Sequence, residues 1–305
     1  MLDYPMRDAK ALRPGLCIAV CRALGGRLED ALPTATALEL YHNAFLIHDD
    51  IEDGSLLRRG RPTLHLLHGA PVAVNVGDAM LALSLQPLLD NTERLGLGPA
   101  LRILQVVSRM ARESAEGQAV ELDWIRHDTW DLEDRDYLRM VYQKTCWYTF
   151  IAPSLLGSLA AGASEAQRWT LTRFAVLLGM AFQIQDDVLN LASEEAVYGK
   201  EANGDLWEGK RTLILLHALR HAEPSERARA KDLLRLPRAS KTEEGVSYLR
   251  ALVDRRDSLG HARAVATRRA ERARRTLESA RGWLKPSVHQ GFLTALVDYV
   301  MDRTR

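Results

Sequence analysis

Apolar residues recur every three to four positions along nearly the whole chain, and no stretch alternates polar and apolar as a half-buried strand would. This period predicts a first helix opened by Pro14 and closed by Gly25-Gly26. A second covers ALPTATALELYHNAFLIHDDIED, in which Ala37, Tyr41, Phe45 and Asp49 fall on every fourth position. Further helices fit residues 72–93, 99–124, 133–163, 166–195, 211–222, 242–257, 261–282 and 286–303. The breakers between them are GSLLRRGRPT, the run Gly96 to Pro99, His127-Asp128, Ala163-Ser164 and SEEAVYGKEANGDLWEGK. With no repeat, low-complexity segment or linker, the expectation is one all-α domain over residues 1–305.

Composition narrows this picture. The chain has 305 residues, 47% hydrophobic and 27% charged, as a globular protein does. Lys+Arg 41 against Asp+Glu 40 leaves a net charge of +1, and 6% aromatics offer few platforms for bases, so no nucleic-acid partner is expected. The arginines of 255–281 are interleaved with alanine and leucine as on an amphipathic helix, which makes them a solvated face. Cys17, Cys21 and Cys146 form neither a disulfide framework nor a zinc pattern, and a reducing, cytoplasmic setting follows. MLDYPMRDAK has no apolar core of signal-peptide type. Thr145 to Ser164 carries no charge, but Pro153, two glycines and five Ser/Thr make it an interior helix rather than a membrane span.

Chemistry enters with two acidic stretches inside apolar runs, HDDIED at 48–53 and FQIQDDVLN at 182–190. Asp49 and Asp53 are four apart, as are Asp186 and Asn190, so each pair shares a helix face. Like charges at that spacing cost an isolated helix about 0.2–0.5 kcal/mol per pair. A hard cation between them removes the cost, and Mg²⁺ binds through a few carboxylates plus substrate phosphates. Two such helices facing each other would hold metal with room for a diphosphate. Arg58 and Arg59 follow one loop later, Lys10 and Arg13 lie in AKALRP, Lys144 in YQKTCW, and Lys200 and Lys210 flank a Gly-bearing loop. Such forks and point charges suit a second diphosphate. GxSxG, HExxH, a P-loop and paired Cys/His spacings are absent, leaving nucleophilic and zinc chemistry without a candidate.

HNAFLIHDDIED, LRRGRPTLH, GQAVELDW, QKT, FQIQDDVLN and GKEANGDLWEGKRTL, in this order, resemble the trans-isoprenyl diphosphate synthase (polyprenyl synthetase) family over about residues 7 to 215. The resemblance implies an all-α orthogonal bundle around a central cavity, a homodimer, and three Mg²⁺ ions bound with the diphosphate. It implies head-to-tail joining of isopentenyl diphosphate to an allylic diphosphate, the released diphosphate taking the final proton. By motif, Asp49, Asp50 and Asp53 stand as the first metal ligands, and Asp186 and Asp187 as the second set, with Asn190 where many members have a third aspartate. Arg58, Lys144, Lys200 and Lys210 match the grip on the allylic diphosphate. Lys10, Arg13, His42 and Arg59 match the isopentenyl diphosphate pocket, and Thr145 and Gln183 match the substrate contacts beside it. AKALRP lacks the glycine and one arginine of the family's GKRxRP, and QKTCWY places Cys146, Trp147 and Tyr148 where small residues are usual.

The resemblance also implies that the growing tail runs beside the first-motif helix. A rise of about 1.5 Å per residue puts Phe45 and Ala44 roughly 6–7.5 Å below Asp49, Tyr41 about 12 Å and Ala37 about 18 Å. Ala44, Phe45, Tyr41 and Trp147 are therefore the expected chain-length residues. HNA…DDIED, EGKRTL and Asn190 look most like geranylgeranyl diphosphate synthases, giving a C20 product with C15 as the alternative. A class I terpene cyclase and a non-catalytic partner subunit are the other readings.

Overall fold

The computed structural model describes residues 1–7, 10–192 and 203–302. Helix α1 (Leu12–Ala23) ends at the glycine pair, and α2 (Leu28–Glu52) carries the first acidic motif. After α3 (Ala70–Leu83) and α4 (Leu97–Arg126), α5 (Asp134–Val141) continues through a π-helical stretch, Tyr142–Ile151, into α6 (Ala152–Ala160). Helix α7 (Glu165–Ala192) carries the second motif. The longer helices that follow are α8 (Leu213–His221), α9 (Pro224–Arg235), α10 (Glu243–Arg255), α11 (Ser258–Glu278) and α12 (Val288–Asp302). Several starts are chemically marked. Glu133 with Asp136 and Glu223 with Glu226 form capping boxes, and the Thr212 and Thr242 hydroxyls accept from Leu215 and Gly245 N–H.

The chain is all-α, as its period predicts, with three local departures. The expected helix over 72–93 breaks at Ser84 into α3 and two single turns, Leu85–Leu89 and Asn91–Leu95. There the Ser84 hydroxyl turns back to the Leu81 carbonyl, and Pro87 has no N–H to give the helical ladder. Helix α9 was not expected, because it buries only Ala230 and Leu234 and so has almost no apolar stripe; its capping box and Pro224 in the first turn start it. The RRGRP loop contains a small antiparallel hairpin, Leu57–Arg58 with Arg61–Pro62, turned by Arg59 and Gly60 at φ 54° and 70°. Positive φ at both central positions is the type I′ turn that fits strand twist, and Arg59 bears its strain.

One buried cluster runs from Leu16 to Val300 and holds α7 against α11 and the π-helical stretch. The uncharged Thr145–Ser164 segment lies largely in it. Cys17, Cys21 and Cys146 are free and buried. On α11, buried Ala262, Ala266, Ala270 and Leu277 alternate with exposed Arg263, Arg268, Arg272 and Arg275. A different stretch, Ala70–Leu95, is long and apolar enough to cross a membrane by composition, with mean hydropathy 1.4 and 28% of its apolar window buried. Its inner side packs on α2, where Ala73 and Met80 meet Ala44 and Ile47, while Val72, Val74, Leu83, Leu85 and Leu89 are exposed.

Helix α4 approaches the π-helical stretch so closely that a Cβ on Gly117 would lie 2.3 Å from the Lys144 backbone nitrogen and 2.7 Å from its Cα. Those neighbours are backbone and cannot step aside. Gly117→Ala is therefore expected to lower unfolding stability by about 1–3 kcal/mol, the cost of overpacking a filled core. Denaturant titration checks this, and a variant as stable as the parent would show that the two helices can separate freely.

Candidate active site

A cavity of about 510 Å³ opens between α2, α4, α5 with the π-helical stretch, and α7. Its wall contains Lys10, Arg13, His42, Phe45, Asp49, Arg58, Arg59, Lys144, Thr145, Gln183, Asp186, Asp187 and Lys210, bringing both acidic motifs and most of the expected cations around one space. Lys200 lies outside the described residues.

In the first motif, neighbouring aspartates part company. Asp49 faces the cavity, 3.4 Å from Lys144 Nζ. Asp53 pairs with Lys210 Nζ at 2.7 Å, and burial, partly offset by that lysine, pushes its carboxyl up to about 6. Asp50 is placed differently from the expectation of a metal ligand. It is fully buried beneath the cavity wall, with the Arg58 guanidinium forked onto both oxygens and the Tyr4 hydroxyl donating to Oδ2 at 2.5 Å. Successive helical residues point in different directions, and on α2 it is Asp49, not Asp50, that lines the cavity. Arg58 is correspondingly committed: it lines the cavity but spends its fork on Asp50 and reaches Asp49 at 3.4 Å. Removing one partner of such a buried pair typically costs about 3–5 kcal/mol.

The second motif repeats the division. Asp186 and Asp187 both line the cavity, but both oxygens of Asp187 are engaged, Oδ2 by the Tyr137 hydroxyl at 2.6 Å and Oδ1 by Gln183 Nε2 at 2.7 Å. Thr145 Oγ1 in turn donates to Gln183 Oε1 at 2.9 Å. Burial raises Asp187 to about 7 against those hydrogen bonds, and keeps Tyr137 protonated as a donor. Asn190 departs from the expected ligand set. It is buried outside the cavity wall, its Oδ1 taking the Asp205 N–H at 3.0 Å, so it fixes the loop that brings Asp205 and Lys210 to the site.

Sequence reasoning assigned no role to Glu121, although GQAVELDW contains it. Glu121 is buried in an ion pair with Lys144. Burial alone would depress Lys144, yet Glu121 and Asp49 beside it keep the ammonium charged. Lys210 is held the same way by Asp53 and by Glu208 at 2.9 Å. The polar wall is thus a lattice of alternating charge.

On the opposite side, Arg13 organises a basic pocket. It reaches His42 Nε2 at 3.1 Å and Thr149 Oγ1 at 2.8 Å, and lies over the Tyr148 ring at 4.3 Å. An arginine only donates, so His42 Nε2 must accept, which makes the imidazole neutral with its proton on Nδ1. Burial, then Arg13 and Arg59, push its pKa well below the usual value, in agreement. Arg59 is anchored on the Tyr4 carbonyl at 2.9 Å, and Lys10 sits 5.5 Å from the Tyr299 ring centroid.

Phe45 forms the apolar floor in edge contact with Tyr41 at 5.8 Å and Tyr148 at 5.6 Å. Two expected chain-length residues lie elsewhere. Ala44 is turned to the far side of α2, against Ala73 and Met80. Trp147 is buried away from the cavity against Tyr142 and beneath Arg109. A π-helix closes i→i+5 and is wider than an α-turn, so the fourth residue after Lys144 aligns with it better than the third. Tyr148 takes the cavity position, and Trp147 does not.

The donor set suits a hard divalent cation, since carboxylate oxygens dominate where the two motifs meet. Among the described residues no three His, Cys, Asp or Glu side chains already converge to coordinate an ion. A hydrated ion completed by waters and phosphate oxygens does not require three.

An all-helical bundle with two aspartate motifs and a basic pocket around one cavity defines the isoprenoid-synthase class of prenyltransferases. The polyprenyl synthetase family model matches residues 1–253, and the chain belongs to that family. It is 32% identical to a short chain isoprenyl diphosphate synthase of Methanothermobacter thermautotrophicus, over 96% of this chain and 86% of that protein. A polyprenyl synthase of Caulobacter crescentus CB15, solved with calcium and isoprenyl diphosphate, superposes with TM-score 0.86 at 30% identity, covering 98% and 86% of the two chains. A geranylgeranyl pyrophosphate synthase of Corynebacterium glutamicum, solved with isoprenyl diphosphate and magnesium, gives TM-score 0.86 at 25% identity, covering 98% and 87%. The chain is a short-chain trans-prenyltransferase.

A histidine kept neutral by the fold has a signature in acid. The folded pKa of His42 is depressed, so the unfolded chain takes up the proton first. The stability this contributes is complete above about pH 6.5 and is lost as pH falls toward the folded value. Asp53 and Asp187, whose carboxyls are raised by burial, act in the opposite sense, so the readout is a difference: between pH 7 and pH 5 the melting temperature of the parent is expected to fall relative to that of His42→Gln in thermal unfolding. An identical slope in the variant would show that His42 is not held neutral.

Proposed function

We propose that the chain joins isopentenyl diphosphate head-to-tail to an allylic diphosphate with Mg²⁺ as cofactor, giving the C20 product. The observation that carries the reading is the meeting of both acidic motifs and two separate groups of cations around one cavity. Asp49 and Asp186, which line the cavity, with Asp53 one turn beyond Asp49 behind the wall, are the residues that would hold the metal. When bound there, a divalent cation neutralises and orients the leaving diphosphate. Lys144 and Lys210, with Arg58 and Lys200, grip the allylic diphosphate, while Lys10, Arg13, Arg59 and neutral His42 receive isopentenyl diphosphate. Phe45, Met140, Val141, Tyr148 and Phe182 line the intervening wall and exclude water from the allylic cation. A neutral His42 whose Nε2 lone pair is taken by Arg13 adds no base to the pocket, in keeping with proton removal by the released diphosphate.

Phe45 favours the C15 alternative, because its ring closes with Tyr41 and Tyr148 one turn below Asp49. Incubation with Mg²⁺, isopentenyl diphosphate and C5, C10 or C15 allylic diphosphates decides. C20 product is expected; a halt at C15 supports the alternative; a cyclic hydrocarbon points to a cyclase, and no elongated product rejects the synthase reading. Asp49→Ala is expected to lose orders of magnitude in turnover while the fold persists, and near-parental activity would remove it from the metal site. Phe45→Ala is expected to lengthen the product, unless the ring does not limit the tail.

The exposed apolar face of Ala70–Leu95 supports a homodimer, in which a second copy covers residues such as Val74 and Leu85. Light scattering is expected to report twice the chain mass, and Val74→Glu with Leu85→Glu to halve it. A monomeric parent would reject the assembly without touching the chemistry.

A further inference from the structure

We propose that Tyr4 and Tyr137 are a matched pair of positioning residues, each locking the inner aspartate of one acidic motif so that the carboxylate before it is aimed into the cavity. The two sites share one plan. In each, an adjacent aspartate pair sits on a long helix, and the second member receives a tyrosine hydroxyl from another element. Tyr4, in the short helix Asp3–Met6, donates to Asp50 Oδ2 at 2.5 Å and is itself oriented by the Leu64 N–H at 3.3 Å. Tyr137, on α5, donates to Asp187 Oδ2 at 2.6 Å. Both tyrosines are 1% exposed, and each hydroxyl is committed to its carboxylate. The other side of each carboxylate is filled as well, by the Arg58 fork on Asp50 and by the Gln183 amide on Asp187.

A buried carboxylate must be fully hydrogen-bonded, and satisfying it fixes the rotation of the helix that bears it. Asp49 and Asp186 inherit that rotation. A tyrosine does this without cancelling charge. A further arginine or lysine in its place would neutralise the acids that a cation needs, whereas a neutral hydroxyl leaves the negative potential standing. The inference rests on the metal reading given above and adds the residues that set its geometry.

Binding of Mn²⁺ in the presence of inorganic diphosphate, followed by electron paramagnetic resonance on the full chain, tests it without turnover. Tyr137→Phe and Tyr4→Phe keep the rings and are expected to weaken Mn²⁺ binding about tenfold, as loss of an outer-sphere partner typically does. In steady state kcat is expected to fall with it, while KM for isopentenyl diphosphate stays at the parental value. Asp187→Asn keeps the Tyr137 contact but loses charge. It is expected to weaken Mn²⁺ far less than Asp186→Asn, and it decides the matter for the second motif even if a tyrosine variant fails to fold. Parental Mn²⁺ affinity in the folded Tyr→Phe variants, or equal damage from Asp187→Asn and Asp186→Asn, overturns the inference alone. A parent chain that binds no Mn²⁺ overturns the metal reading and this inference together.

Discussion

Charge alternation inside a nearly closed space is the constraint on which this molecule is built. Carboxylates cannot be withdrawn from water singly, and those of the first motif are answered within their own wall: Asp50 by Arg58, Asp49 by Lys144, Asp53 by Lys210. The partners come from segments far apart in the chain, so satisfying the acids also dictates which helices must lie together. Lys144 joins the π-helical stretch to α2 and α4 through Asp49 and Glu121. Lys210 brings the loop before α8 back to the end of α2. The polar wall therefore does for the upper part of the bundle what the apolar cluster does below it.

Helical period alone carried much of this. It placed Asp49 and Asp53 on one face, ran α7 through its acidic pair and predicted an interior course for Thr145–Ser164. It could not say which member of each aspartate pair looks inward, because that depends on how a helix is rotated against neighbours the sequence does not name. Tyr4 and Tyr137 were invisible for a related reason: they meet their aspartates across 46 and 50 positions, with no local motif to mark the contact. Tyr148 rather than Trp147 meets the cavity because of a change of helical pitch that leaves no trace in composition. Glu121 lies within GQAVELDW, yet nothing in the motif says that its carboxylate turns toward Lys144.

The hairpin Leu57–Pro62 illustrates how a short irregular segment acquires a fixed shape. Arg7 reaches under it to the carbonyls of Arg58 at 2.8 Å and Pro62 at 2.8 Å, and Arg59 is tied to the Tyr4 carbonyl. Two arginines of opposite task, one buried on Asp50 and one facing the basic pocket, thus sit on a turn whose backbone is braced from below. The strain at Arg59 is local and is balanced by these contacts.

Tyr148 touches the guanidinium of Arg13 on one side and the ring of Phe45 on the other. Reach and grip are consequently welded together in this protein. Reshaping the end wall to admit a longer hydrocarbon also slackens the hand that receives the five-carbon donor. A lineage drifting toward larger products would have to rebuild both compartments in step.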